Sequence, residues 1–180
     1  MNQGTDSCTG FTLIEMMITV SIASLLLALA VPSFKSLISE NNVVTSTNDL
    51  TSSIRMARSE AIKRGERTAL CPSNAPLAEN PTCASRTNWT KGWIVFVDTN
   101  MDGFRSSNET LLAQMPPRPP AMEMNRSSVF GQVITFSSGG NTISTFGAPR
   151  SGLMSVVYDD ETRFITLQAN GRLSVSETLN

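Results

Sequence analysis

The sequence predicts an α+β fold in which one long, kinked amino-terminal helix packs on an antiparallel β-sheet head, the first half of the helix being long enough to be transmembrane. Three observations predict it. An almost uncharged apolar run fills 11–31, an amphipathic helical pattern follows over 32–65, and from 66 the periodicity shifts to short β-branched and aromatic runs separated by turn signals.

The first run reads FTLIEMMITVSIASLLLALAV, with Glu15 its single charge. At about 1.5 Å per residue such a helix spans roughly 30 Å, the thickness of a bilayer core. A cleaved secretory signal would explain the length, and Ala28-Leu29-Ala30 offers a small-x-small site, but the stretch before the run has no Lys or Arg. An ordinary anchor leaves Glu15 unexplained, since an acidic residue at the centre of a membrane helix costs about 2.5–3.5 kcal/mol. Pro32 then predicts a kink or break, because it removes a helix hydrogen bond. The helical pattern resumes after it. Val43, Leu50, Ile54, Ala57 and Ala61 fall on one face, which needs a sheet to cover. Gly65 is a natural stop, with Lys63 and Arg64 complementing the helix dipole in the last turn.

Strands are expected at 67–70, 93–97, 110–115, 129–136, 142–146, 153–158, 163–168 and 172–175. Between them lie turn signals such as Asp102-Gly103, Gly139-Gly140-Asn141 and Asn170-Gly171. Pro116-Pro117-Arg118-Pro119-Pro120 predicts a stiff polyproline connection across the surface, unable to enter a ladder.

Composition excludes several functions. The 180 residues contain no histidine, so hydrolase triads and zinc centres lose their commonest group and no enzyme is expected. Net charge is −1, which gives no global field for nucleic acid. Of the three cysteines, Cys8 precedes the apolar run, whereas Cys71 and Cys83 bracket a proline-containing segment. These two read either as a disulfide staple in an oxidising compartment or as two free thiols.

Gly10-Phe11-Thr12-Leu13-Ile14-Glu15 resembles the cleavage motif of type IV prepilins and type II secretion pseudopilins. The body adds to the likeness: Ser53-Ile54-Arg55-Met56-Ala57-Arg58-Ser59-Glu60-Ala61, Gly92-Trp93-Ile94-Val95-Phe96-Val97-Asp98 and Asn170-Gly171-Arg172 are similar to the GspH/FimT group of minor pilins and pseudopilins. The resemblance implies a pilin-like fold with a leader over 1–10, a transmembrane and assembly half-helix over 11–31, an amphipathic half over 32–65 and a periplasmic head over 66–180. It implies cleavage between Gly10 and Phe11 by prepilin peptidase, N-methylation of Phe11, and loss of Cys8 with the leader. The new amine on Phe11 gives a reason for Glu15, which in the family pairs with the amino terminus of a neighbouring subunit. Implied partners are other pilins through the helix, the peptidase/N-methyltransferase and the inner membrane. The implied function is a structural minor pilin of a type IV pilus or its tip or priming complex, the alternatives being a type II secretion pseudopilin and a DNA-binding minor pilin for transformation. The leader departs from the family's usual pattern, having Asp6 and no basic residue.

Two constellations in the head invite chemistry. Asp98, Asn100, Asp102 and Glu109, with Gly103 at the turn, fit the spacing of a calcium loop, yet a strand precedes them and an acidic hairpin turn explains them equally well; otherwise no cofactor is expected. Arg172 resembles the start of a carboxyl-terminal Gly-Arg-x-Arg element through which some members bind DNA. Here Ser174 stands where the second arginine would be, so a surface hairpin arginine is the simpler reading unless Lys91, Arg150 and Arg163 join it in a patch.

Overall fold

The computed structural model describes residues 10–84, 88–126 and 132–178, without the side chains of 29–33 and 126. Most of the expected leader, with Cys8, and the first part of the strand expected at 129–136 lie outside the described residues. So does the Pro32 ring expected to kink the helix. The chain divides into two compact units, 1–38 and 39–180. Helix α1, Leu13–Arg64, contributes to both.

In the first unit apolar side chains are exposed all round the helix: Phe11 is 80% exposed, and Leu13, Ile14, Met16, Met17, Ile18, Val20, Ile22 and Leu25–Leu27 are also open. A helix apolar on every face requires lipid or other helices around it. Among the described residues no helix is long and apolar enough to cross a membrane. The described side chains of the expected span 11–31 end at 28, short of the ~20 apolar residues a span needs.

The second unit packs the rest of α1 on two antiparallel sheets. β1 (Thr68–Pro72), β2 (Trp93–Val97), β3 (Leu111–Met115), β5 (Ile134–Phe136) and β6 (Thr142–Ile143) make a five-stranded sheet in the order β3-β2-β1-β5-β6. β4 (Glu123–Arg126), β7 (Gly152–Tyr158), β8 (Glu161–Leu167) and β9 (Leu173–Ser176) make the second, in the order β4-β7-β8-β9. All five residues of the expected helix stripe are buried, Leu50, Ala57 and Ala61 completely. They meet Leu70, Trp93, Val95 and Phe136 from one sheet and Met154, Val156, Ile165 and Leu167 from the other.

The other face of β1 and β2 is buried as well. Ala69, Cys71, Ile94 and Phe96 form a second cluster against Cys83, Leu111 and Val133. That two-sided burial is why Trp93–Val97 reads as an unbroken apolar run rather than an alternation.

Several expectations need correction. β4 was not expected: only Met124 of Glu-Met-Asn-Arg is apolar and buried, so this edge strand has almost no hydrophobic signature. The strand expected at 142–146 is shorter, because residues 144–148 turn back with the Gly147 amide donating to the Ser144 carbonyl. The proline-rich connection does run across the surface outside any strand, with Pro116, Pro117 and Pro120 exposed, but its arginine does not stay in solvent. The Arg118 side chain is only 7% exposed, donates to Asp49 at 2.6 Å and lies over the Trp93 ring at 4.4 Å. That ion pair and cation–π contact fasten the connection to α1 and β2.

Candidate functional site

At the amino terminus Gly10 and Phe11 are exposed and α1 begins at once. The Thr12 amide and hydroxyl donate to Glu15 Oε2 at 2.9 and 2.8 Å, and the Glu15 amide donates back to Thr12 Oγ1 at 3.3 Å. This reciprocal arrangement is a capping box, which satisfies amides that the first helical turn otherwise leaves open. Its signal in the sequence is Thr12-x-x-Glu15 ahead of an apolar run. Glu15 thus has a local task besides the charge pairing expected of it.

Arg172 is exposed in the turn between β8 and β9. It lines a groove of about 510 Å³ with Arg55 and Arg58 of α1, over a floor of Ile54, Ile62 and Leu173. Lys91, Arg150 and Arg163 do not line it, and Arg163 is paired with Glu177 at 3.0 Å. Arg58 is half-buried and structural. Its Nε donates to the Gly140 carbonyl at 3.0 Å and its NH2 to the Asn170 carbonyl at 3.1 Å, tying two turns to the helix. Gly171, at φ +76°, is required there: a Cβ would stand 2.3 Å from the Gly140 oxygen and 2.7 Å from Arg58 Nε. The two helix arginines were invisible as site residues because only tertiary structure brings them to a turn over a hundred residues away.

The 98–109 loop turns its oxygens inward. Glu109 is buried and accepts from the Thr99 amide at 2.9 Å, the Thr99 hydroxyl at 3.2 Å, the Asn100 amide at 3.3 Å and the Ser106 amide at 2.9 Å. Asp98 Oδ1 accepts from the Gly103 amide, Asn100 Oδ1 from the Asp102 amide, and Asp102 from the Phe104 amide and Asn100 Nδ2. Among the described residues no three acidic or cysteine side chains converge as a metal site. Arg67 Nε stands 3.4 Å from Asp98 Oδ2, an ion pair without hydrogen-bond direction. Burial pushes the Asp98 carboxyl up, against the opposing pull of the Gly103 hydrogen bond and of Arg67.

Below this loop Cys71 and Cys83 form a disulfide with Cα atoms 5.5 Å apart, which resolves the alternative left open by the sequence. Buried Arg105 ties the stapled segment to the loop, donating to the carbonyls of Pro81 at 2.8 Å and Glu109 at 3.2 Å.

Comparison with known proteins adds to this geometry. The model of the prokaryotic N-terminal methylation motif matches residues 6–31, and that of the type II transport protein GspH matches residues 46–174. No curated protein matches the sequence. Among solved structures, the type IV minor pilin FimU of Pseudomonas aeruginosa is similar at a TM-score of 0.54 and 15% identity, over 76% of this chain and 90% of that one. The minor pseudopilin EpsH of the Vibrio cholerae type 2 secretion system is similar at 0.51 and 14%, over 76% and 97%. At such identities these two likenesses speak for the fold. The family match spans most of the chain, from the second half of α1 to β9, and on that ground the chain belongs to the GspH family.

Proposed function

We propose that this chain is a structural minor subunit of a filament built by helix packing, a type IV pilus or its tip or priming complex, and that it performs no catalysis. One observation carries the reading: the residues after Gly10 form a helix apolar on all faces, with one carboxylate in its first turn, within a matched methylation motif. Such a surface is stable only among lipids or other helices. On this reading a prepilin peptidase cuts between Gly10 and Phe11 and Phe11 is N-methylated. The helix holds the subunit in the inner membrane with a periplasmic head, and Glu15 meets the amine of a neighbour as subunits join. The match to the type II transport family favours a second reading, a secretion pseudopilin, in which the same parts act in a pseudopilus.

The 98–109 loop is proposed as a structural turn that takes no calcium, because its own amides already occupy the carboxylates an ion would need.

Substituting Glu15 tests the assembly role. Glu15→Ala should leave cleavage intact and lower recovery in sheared filaments at least tenfold. Glu15→Gln keeps an acceptor for the capping box and removes the charge, so it should be equally depleted if pairing with an amine is the function. Normal incorporation of Glu15→Gln would reduce Glu15 to a cap.

A further inference from the structure

The groove between the last turns of α1 and the β8–β9 turn combines two exposed cations with a partly open aliphatic floor. Arg55 and Arg172 are exposed, and neither side chain meets a carboxylate among the described residues. The exposed Arg64 and half-buried Arg163 are each paired, with Glu60 and Glu177. Between the two unmet guanidinium groups lies an aliphatic floor, where Ile62 is 53% exposed and Leu173 half-buried. The walls are preorganised: Ile54 and Ala57 hold the helix in the core, while Arg58 and the close Gly140–Gly171 approach fix the turn.

We infer that this groove docks an acidic polypeptide segment bearing an aliphatic side chain, supplied by a different subunit of the same filament. The inference rests on the subunit role proposed above. Planar guanidinium forks match carboxylates, and an apolar side chain laid on Ile62 and Leu173 removes their exposed surface from water. A volume of about 510 Å³ suits a few residues of such a segment. A nucleic acid fits less well, because no aromatic ring lines the groove for a base to stack on and two free cations release few counterions.

The test uses the full chain in its native cell. The double reversal Arg55→Glu with Arg172→Glu alters only side chains without partners, so membrane level and disulfide formation should stay unchanged. Recovery in sheared filaments should fall at least tenfold, and the double Lys variant should restore much of it. Suppressors selected in the reversed strain should convert Asp or Glu to Lys or Arg in another pilin-like subunit. Wild-type recovery of the reversed variant overturns the inference. It is also overturned if the detergent-purified chain shifts DNA in a salt-dependent manner that the reversal abolishes while filament recovery stays normal, for the groove then serves nucleic acid. Glu15→Ala run in parallel separates the two ideas. Loss with Glu15→Ala alone rejects the groove and keeps the subunit role, and no loss with either rejects both.

Discussion

Asp98 is fully buried, with one oxygen on the Gly103 amide and the other facing Arg67; Glu109 and Asp102 oppose its ionisation further. Its carboxyl is therefore raised from the ordinary 3.8, and the folded state keeps the proton to higher pH than the unfolded chain does. The resulting stability is full below the unfolded value and is lost as pH rises through the folded one. In Asp98→Asn the titration is gone, so the melting temperature of the variant relative to wild type should rise as pH increases from about 4 towards neutrality. A difference independent of pH would mean that Arg67 cancels the burial. At this scale the sequence was partly legible. Thr12-x-x-Glu15 was readable as a capping box, whereas the burial of Asp98 and Glu109 depends on neighbours that only folding supplies.

Among elements, β1 and β2 hold the head together, and the disulfide staples the segment after β1 beneath them. In the chain-entropy view, closing a loop of 12 residues contributes roughly 2–3 kcal/mol. Cys71→Ala with Cys83→Ala should lower unfolding stability by that amount in chemical denaturation, and an unchanged midpoint would show the segment to be held by Arg105 alone. Elements announced themselves in the sequence in proportion to their apolar pattern. The stripe from Val43 to Ala61 and the run Trp93–Val97 were plain, because a 3.6-residue repeat and a doubly buried strand leave strong marks. The edge strand β4 and the anchoring of Arg118 left none, since an edge needs little apolar surface and a cation–π contact has no spacing rule.

For the whole molecule, every buried core residue among those described lies in the unit 39–180. A fragment comprising that unit should stay in solution without detergent and unfold in one cooperative transition, with the same melting temperature in calcium and in excess chelator. A second transition would reject a single core, and a chelator-sensitive midpoint would return calcium to the 98–109 loop. Fold and family were legible from the amino-terminal motif and the helix stripe. The groove was not, because it joins the two ends of the head sequence.

Arg58, Gly140 and Gly171 meet so closely that none can be varied by itself. A side chain at 171 collides with the Gly140 oxygen even if Arg58 is shortened, and shortening Arg58 strips a hydrogen bond from both turns. Changes at these positions are therefore strongly epistatic: the second lesion adds little to the first. At the rim the constraint is absent: Arg55 and Arg172 are exposed, so substitutions there should alter what the groove presents while leaving the stability of the head unchanged.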